Sequence, residues 1–264
     1  MAQDIGIPVW LINLPRATKR RAEMEERLAA LDIDYTLFPG IDGKAEEERL
    51  RKLVDVPAFE RNMGRVILMG GIGCYNSHLE IWRLFLKTDA PIALIIEDDV
   101  IFHDDFLEAV KTGIAGAAHW DFLKLNCIRA KLPVRQGKLG RYDLNAYIGP
   151  ATGTGAYLIK RETAALLLEA MLPITRATDH EINRFFKHDF RLLGLEPFPS
   201  HPEEGNVSLI TGTNNGDVVK FRGLARLPYY RLKAANYLRR AFWLAKKGFL
   251  IPRPGRELTL EDKQ

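Results

Sequence analysis

Short runs of apolar residues alternate along the chain with longer segments in which apolar residues recur every three or four positions. The runs predict β-strands and the longer segments predict α-helices, because these two spacings place side chains on one face of each element. The predicted strands are 9–14, 35–38, 92–96, 122–125, 156–159 and 192–195; the predicted helices are one capped by Thr18 and those at 44–53, 75–87, 161–171 and 179–187. This alternation predicts a three-layer α/β fold.

The most informative segment is the apolar run at 92–96, which ends in three acids, Glu97, Asp98 and Asp99. Five consecutive apolar residues are typical of a strand buried on both faces, as in the middle of a parallel sheet. Ligands bind at the carboxyl ends of such strands, where these acids lie. Neighbouring carboxylates repel one another unless they bind a cation or are well solvated. The pattern therefore indicates either a Mg²⁺ or Mn²⁺ site or a solvated acidic turn.

The position of the acids leaves the class of protein open. Nucleotide-sugar transferases, phosphotransfer receivers and Mg²⁺-dependent phosphatases all fit it. The phosphoryl-transfer folds also need a Lys or Ser/Thr on a later strand, and around Lys124 the segment 122–126 supplies no hydroxyl partner.

Two residues at the end of the first predicted strand and in the segment that follows it are candidates for nucleotide binding. Asn13 and Arg20 lie where the base and ribose bind in a nucleotide-binding α/β domain, and the Arg20 guanidinium suits a phosphate. The alternative is that Arg20 belongs to a solvated basic face. Further along, Gly70, Gly71 and Gly73 predict a break in the chain before the helix at 75–87.

The amino-acid composition excludes several classes of protein. The chain has 264 residues, of which 47% are hydrophobic and 27% charged, which excludes collagenous and mostly disordered proteins. Cys74 and Cys127 are too few for a disulfide framework and lack metal-ligand spacing, so a reducing compartment is expected. We find no signal-peptide pattern and no stretch of 18 apolar residues, and therefore expect a cytoplasmic protein that is not integral to the membrane.

Charge is distributed unevenly along the chain. Residues 218–256 contain eleven Lys and Arg and no acid, whereas the rest has 27 basic and 34 acidic residues. Gly and Asn at 212–216 predict a flexible joint, which separates a body (1–216) from a basic C-terminal segment (217–264). Interleaved aromatic and basic residues at 227–250 favour a helix on an anionic membrane surface. Nucleic-acid binding and a solvated helix packed on the body are the alternatives.

Five motifs carry a resemblance to a known family. They are Ile12-Asn13-Leu14 with Arg20, Gly73-Cys74-Tyr75-Asn76-Ser77-His78, Ile95-Ile96-Glu97-Asp98-Asp99-Val100, Gly155-Ala156-Tyr157-Leu158-Ile159 and Asp179-His180. In this order and spacing the sequence resembles glycosyltransferase family 25, the bacterial lipopolysaccharide and lipooligosaccharide glycosyltransferases, with the collagen hydroxylysine galactosyltransferases as relatives. The resemblance covers about residues 7–210 and leaves out the basic C-terminal segment.

The resemblance implies a GT-A fold, a Rossmann-like domain that binds a UDP-sugar through a divalent cation. It places Mn²⁺ or Mg²⁺ on Glu97 and Asp99, and the ribose or donor sugar on Asp98. The other implied donor-binding residues are Asn13, Arg20, Ser77 and His78. Ser77 and His78 are expected near a helix N-terminus, where they would bind the donor phosphates or sugar; the alternative is that His78 braces the sheet.

The resemblance also implies an inverting single displacement, in which a carboxylate deprotonates the acceptor hydroxyl. Asp179 is the candidate base, because it precedes a predicted helix whose backbone N–H groups can hold its side chain. Alternatively, Asp179 or Thr178 is only a helix cap, and Glu181 and Asp121 are other candidate bases. Two histidines are candidates for an additional metal ligand, His180 and His201.

The expected reaction moves a hexose, galactose by resemblance, from a UDP-sugar to a glycolipid or oligosaccharide acceptor. The expected acceptor is a lipopolysaccharide or lipooligosaccharide saccharide at the inner face of the cell membrane, and no nucleic-acid partner is expected. Two alternatives stay open: transfer to a protein or another glycan, and a non-catalytic membrane- or glycan-binding protein with the same fold.

Overall fold

The computed structural model describes residues 5–203 and 218–259, which contain ten β-strands and nine α-helices. The strands are β1 (Val9–Asn13), β2 (Thr36–Pro39), β3 (Ile92–Glu97), β4 (Val100–Phe102), β5 (Phe122–Lys124), β6 (Pro133–Leu139), β7 (Tyr142–Tyr147), β8 (Ala156–Lys160), β9 (Leu192–Glu196) and β10 (Ser200–Pro202). The helices are α1 (Thr18–Ala30), α2 (Glu47–Arg51), α3 (Val56–Met63), α4 (Met69–Phe85), α5 (Phe106–Ala115), α6 (Arg161–Ala170), α7 (Thr178–Ile182), α8 (Phe185–His188) and α9 (Leu227–Lys246). The predicted joint at 212–216, and with it the boundary after residue 216, lies outside the described residues.

Eight strands form one sheet in the order β2-β1-β3-β8-β5-β9-β7-β6, and β4 pairs with β10 in a small antiparallel sheet. β1 is parallel to both β2 and β3, and β5 is parallel to β9. β8 runs antiparallel to β3 and β5, and β7 runs antiparallel to β6 and β9. The central sheet is therefore mixed, so the expectation that the apolar run of β3 lies in an all-parallel environment is wrong.

Helices cover both faces of the sheet. Neighbouring residues of a strand point to opposite faces, and on β8 Tyr157 meets α4 whereas Leu158 meets α5. The Tyr157 hydroxyl accepts a hydrogen bond from Trp82 of α4 at 3.0 Å. Leu158 Cδ1 is 2.9 Å from the position that a Cβ would take on Gly113 of α5. The predicted three-layer α/β arrangement is thereby confirmed.

The break predicted at 70–73 is wrong, because these residues form the first turn of α4. A Cβ on Gly73 would lie 2.3 Å from the carbonyl oxygen of Ile41, and a Cβ on Gly43 would lie 1.7 Å from that of Met69. Glycine at 43 and 73 therefore lets the loop after β2 contact the backbone of α4.

Three other helix predictions differ from the structure. The helix predicted at 179–187 is divided into α7 and α8 at Asn183, whose side chain bonds the backbone N–H and C=O of Ala151 at 2.8 and 2.7 Å. Thr18 is the first residue of α1; the cap position is Ala17, which makes no side-chain cap bond. Of the charged stretch 44–53, only the five residues of α2 are helical. The prediction lacked α3, α5 and the β6–β7 hairpin.

α9 packs one face on the body and exposes the other. Trp243 is buried and its indole N–H donates to Asp189 at 2.8 Å. Arg240 is also buried and donates to two backbone carbonyls of the body. On the outer face, Leu238 and Phe242 are 72% and 74% exposed. Among the described residues, no helix has the length and apolarity to span a bilayer.

Candidate active site

The segment with Asn13 and the acids at 97–99 lie together because β1 and β3 are parallel neighbours in the sheet. Ile12 pairs with Glu97 in the sheet, so Asn13 and Asp98 leave the same edge side by side. Asn13 Nδ2 donates to Asp98 Oδ2 at 2.6 Å. Arg20 Nη1 lies 3.3 Å from Asp98 Oδ1 and 4.0 Å from Asp99 Oδ2. The structure therefore brings Asn13, Arg20 and the acids together.

Asp98 uses both of its carboxylate oxygens within the protein. It is 8% exposed, and Asn13 and Arg20 bind one oxygen each. Burial raises the pKa of Asp98 and the bonds from Asn13 and Arg20 oppose that rise. Asp98 thus orients Asn13 and Arg20, and its own contact with a donor stays a prediction.

Glu97 is held by a chain of hydrogen bonds that starts in α4. Its Oε1 lies 3.0 Å from His78 Nε2 and also accepts from the Thr154 hydroxyl. His78 Nδ1 lies 2.8 Å from the Tyr157 hydroxyl. Both ring nitrogens of His78 therefore have partners, Glu97 at Nε2 and the Tyr157 hydroxyl at Nδ1. Burial would raise the pKa of Glu97, but the bonds from His78 and Thr154 outweigh it and leave that pKa lowered.

These groups border a cleft that encloses about 600 Å³, open solvent at its mouth included. The functional groups in its lining are Arg16, Arg20, Asp42, Cys74, Ser77, Glu97, Asp98 and Asp99. Burial, followed by the charges of Glu97 and Asp98, raises the pKa of Asp99 to about 7. Such crowding of like charges is relieved when a cation binds.

The side chains here fit a cation that prefers oxygen ligands. Glu97 and Asp99 both line the cleft. The hydrogen bonds of Glu97 described above involve Oε1, whereas both oxygens of Asp98 bind Asn13 or Arg20. Cys74, His78 and Glu97 also place ligand atoms within 4.8 Å of one another. However, burial raises the pKa of the Cys74 thiol well above its usual value, and both His78 nitrogens already have partners. The oxygen pair is therefore the better match to a hard divalent ion.

Ser77 and His78 lie well inside α4, so their expected position at a helix N-terminus is wrong. Ser77 borders the cleft, but its hydroxyl donates to the Gly73 carbonyl at 3.0 Å and accepts from the Ile41 N–H at 2.9 Å. His78 is completely buried behind Glu97. These contacts position the helix and Glu97, and direct contact of either residue with a donor stays a prediction.

Asp179 is held by backbone N–H groups, as expected. Its Oδ1 accepts from His180 N at 2.8 Å and its Oδ2 from Gly153 N at 3.1 Å. It is the second residue of α7; the cap position is Ala177, which makes no side-chain cap bond, so neither Asp179 nor Thr178 is the cap. Burial opposes ionisation, but the bonds and the charges of His180 and Lys124 outweigh it and lower the pKa of Asp179.

Asp179 lies next to the cleft and opens to a different hollow. Gly153, whose N–H binds Asp179, is followed in the chain by Thr154, whose hydroxyl binds Glu97 of the cleft. Asp179 itself lines a neighbouring hollow of about 990 Å³ with Arg65 and Arg129.

Lys124 is a residue of this region that the sequence analysis considered only for phosphoryl transfer and did not retain as a site residue. It is 2% exposed and its ammonium donates to the Gly153 carbonyl. Burial lowers its pKa, and the nearby Asp179 and Glu97 charges oppose that effect. A lysine between apolar residues in a predicted strand is the signal that identifies it, but its partners come from distant segments.

The other candidate residues are engaged elsewhere. Asp121 precedes β5 at the opposite edge and binds Arg191. Glu181 is buried against two arginines and a histidine, Arg176, Arg184 and His188. His201 lies 2.8 Å from His103 on the surface, and His180 lines the hollow beside Asp179. In the described part of the chain, neither His180 nor His201 joins the cluster of potential metal ligands.

Comparisons with known proteins give the class and the family. Residues 7–182 match the model of glycosyltransferase family 25 (LPS biosynthesis protein). A glycosyltransferase 25 family member of Drosophila melanogaster is 30% identical over 169 residues, 61% of this chain and 28% of the relative. Procollagen galactosyltransferase 1-A of Xenopus laevis is 26% identical over 229 residues, 76% of this chain and 37% of the relative.

A third relative has a different description. The probable inactive glycosyltransferase 25 family member 3 of Rattus norvegicus is 30% identical over 102 residues, 37% of this chain and 18% of the relative. The chain thus spans well under half the length of these curated relatives. The mixed α/β sheet and its acidic cleft suit a glycosyltransferase. By the family match, the chain belongs to glycosyltransferase family 25.

Proposed function

We propose that this chain is a GT-A-type inverting hexosyltransferase with a UDP-sugar donor. The observation that carries the proposal is the convergence of Glu97 and Asp99 on one cleft at the carboxyl ends of β1 and β3. Nucleotides bind at this edge of α/β sheets. Arg20 lines the same cleft and supplies a cation for the diphosphate.

Glu97 and Asp99 would hold Mn²⁺ or Mg²⁺. When bound, the ion supplies positive charge that stabilises the departing diphosphate. His78 and Thr154 keep Glu97 ionised and fixed in orientation. Asn13 and Arg20, positioned by Asp98, would bind the nucleotide side of the donor.

Asp179 would act as the general base. The acceptor hydroxyl gives its proton to the Asp179 carboxylate as its oxygen forms a bond to the anomeric carbon. The bond between that carbon and the diphosphate breaks on the opposite side, so UDP leaves with the electron pair and the configuration inverts. The low pKa of Asp179 keeps it ionised at neutral pH, which is the state that accepts a proton.

The identities of the transferred sugar and of the acceptor are inferred from the family description and from the names of relatives. One relative is named a procollagen galactosyltransferase, which favours galactose. The family model is described as an LPS biosynthesis protein, which favours a lipopolysaccharide or lipooligosaccharide saccharide as acceptor. A protein or another glycan is the alternative acceptor.

The outer face of α9 supports a location on the inner face of the cell membrane. Leu238 and Phe242 are exposed between basic side chains, Arg239 and Lys246 among them. This combination suits an interfacial helix on anionic lipid. A protein acting on a lipid-linked acceptor would gain proximity to its substrate from such contact.

A non-catalytic glycan-binding role is the second candidate, favoured by the relative described as a probable inactive member. The acids of this chain support activity, since Glu97 and Asp99 line one cleft and Asp179 lines another hollow of the same region. Release of UDP separates the two candidates.

The test measures UDP release from UDP-galactose, UDP-glucose, UDP-GlcNAc and UDP-GalNAc, each with Mn²⁺ and with a chelator. We expect one donor, UDP-galactose, to release UDP only with the metal. Asp99→Asn should reduce the rate at least about tenfold, because the ion loses a carboxylate ligand. Asp104→Asn, an exposed site beyond β4, is the matched control. Equal rates in wild type and Asp99→Asn would refute the metal role.

A further inference from the structure

The hollow that contains Asp179 continues into a second hollow of about 800 Å³ against α9. Arg129, Thr152, His180 and Tyr229 line both. Together they form one concave surface, termed the basic basin here, between α9 and the loops that precede β6, β8 and α7. Asp179 belongs to the lining of this basin and not to that of the acidic cleft.

The lining of the basin is strongly cationic. Among the described residues, Asp179 is the one carboxylate that lines it, and seven basic side chains there have no carboxylate within 4.0 Å. These are Arg65, Arg129, Lys131, Lys220, Arg226, Lys233 and Arg240. A concave surface of one charge sign raises the local concentration of ligands of the opposite sign.

Two of these arginines have a buried nitrogen without a hydrogen-bond partner among the described residues. Nε of Arg65 and Nε of Arg226 are buried and bond to no atom of the described residues. Arg226 is held 5.1 Å from the Tyr229 ring and 5.5 Å from the Tyr230 ring. Buried donors without partners are rare in folded proteins, and a guanidinium matches the paired oxygens of a phosphate or carboxylate.

The basin is distinct from the outward basic face of α9. Asn236 and Arg240 line the basin, whereas Leu238 and Phe242, two residues further along in each case, point away from the body. A flat lipid surface can contact the outer face, but a concave surface beside Asp179 requires a ligand that enters it. Asp179, the proposed base, lines the same basin, so a ligand bound there would hold its hydroxyls close to this carboxylate.

We propose that the basic basin binds an anionic saccharide acceptor, whose phosphate or carboxylate pairs with Arg65 and Arg129 while a hydroxyl reaches Asp179. This deepens the proposed function and rests on it. The two substrates would thus bind at sites of opposite charge. The donor and its cation would bind at the acids of the cleft, and the acceptor would bind at the arginines of the basin.

The test compares neutral and anionic sugars by calorimetry on the full chain, at low salt and without added metal. The probe pairs are mannose with mannose 6-phosphate, and glucose with glucuronate. We expect at least one anionic probe to bind about tenfold or more tighter than its neutral partner. Preference for mannose 6-phosphate assigns a phosphorylated acceptor, and preference for glucuronate assigns a carboxylated one.

Arg65→Gln with Arg129→Gln should abolish this difference, and Lys at both positions should restore part of it. The matched control is Arg49→Gln with Arg83→Gln, two exposed arginines that change the net charge equally and should keep the full difference. Circular dichroism and the thermal midpoint establish that each variant is folded. Equal binding of neutral and anionic sugars, or an equal loss in the control, overturns the proposal.

UDP binding with Mn²⁺ is measured on the same proteins, so that the two proposals fail separately. If wild type binds no UDP but still prefers an anionic sugar through Arg65 and Arg129, the anion site stands and the transferase proposal falls. If UDP binds and releases normally but the sugars show no charge preference, the acceptor proposal alone falls.

Discussion

Asp98 and Asp179 show how hydrogen-bond partners assign different tasks to two carboxylates. Both oxygens of Asp98 bind side chains, Asn13 and Arg20, so it fixes the geometry of its neighbours. Asp179 accepts from two backbone N–H groups instead. Carboxylate oxygens can accept more than one hydrogen bond, so Asp179 keeps capacity to take a proton from a ligand.

Replacing Asp179 with Asn should separate transfer from donor binding. An amide oxygen can retain the bond from Gly153 but cannot take a proton, so transfer should fall by about 10²–10⁴-fold. UDP affinity should change little, because Asp179 lies outside the lining of the acidic cleft. Steady-state rates and calorimetry with UDP check both parts, with Asp104→Asn as control. Full transfer activity in Asp179→Asn would exclude it as the base.

Glu181 should make the folded state sensitive to acid. Burial disfavours its charge, but His188, Arg184 and Arg176 outweigh this and lower the pKa of Glu181 from 4.5 to about 2. A lowered folded-state pKa stabilises the protein above the unfolded pKa, and this contribution is lost as the pH falls towards 2. Between pH 6 and pH 3 the loss is about 2 kcal/mol.

Urea unfolding of wild type and Glu181→Gln at several pH values measures this contribution. The variant should be less stable at pH 6, because Arg176 and Arg184 lose their buried partner, and the two free energies of unfolding should converge towards pH 3. A gap that stays constant with pH would show that the ionisation of Glu181 does not differ between folded and unfolded states.

At the scale of elements, α4 connects the loop after β2 with the acids of β3. Gly73 meets that loop on one side of the helix, and His78, a turn further on, reaches Glu97. A shift of α4 therefore changes the orientation of a proposed metal ligand.

Gly73→Ala should reduce stability although alanine is the better helix former. Its Cβ would be 2.3 Å from the Ile41 oxygen and 2.5 Å from Gly43 N, so backbone must move, at a cost of about 1–3 kcal/mol. UDP affinity with Mn²⁺ should weaken as well. Gly255→Ala, where a Cβ would meet nothing within 4 Å, is the control. A Gly73→Ala protein as stable as wild type would show that the loop adapts.

The local pattern of apolar residues in the sequence was sufficient to predict the helices and strands whose burial is uniform. The apolar run of β3 and the spacing in α6 predicted both elements to within a residue or two. It failed where tertiary contact decides: the glycines of α4 form a helix because a loop packs against them, and α7 ends because Asn183 bonds Ala151. Strand direction in the mixed sheet likewise depends on how distant segments pair.

In the candidate site, too, some residues could be predicted from the local sequence and others only from tertiary contacts. Asn13 and Glu97 end neighbouring strands and Asp98 follows directly, so strand order alone brings them together. Lys124, Thr154 and the basic basin come from segments that meet only in the folded chain. Their partners are far away in sequence, so no local spacing indicates them.

At the scale of the whole molecule, α9 should attach the chain to anionic vesicles. Leu238→Ser with Phe242→Ser should reduce flotation with phosphatidylglycerol vesicles at least about tenfold, because burying each apolar side chain contributes about 1.5–3 kcal/mol. Leu84→Ser with Leu132→Ser, also exposed, is the matched control. Flotation that is equally strong with neutral phosphatidylcholine, or unaffected by the α9 substitutions, would contradict the prediction.

The two faces of α9 have a geometric consequence for a membrane-bound enzyme. Arg240 and Phe242 are two residues apart and point in nearly opposite directions, since each residue advances by about 100° around a helix. The basin therefore lies one helix diameter, about 10 Å, from the side that would rest on lipid. The thickness of this helix would set the height at which sugars are added, and would select acceptors whose free hydroxyl stands only one or two rings above the headgroups.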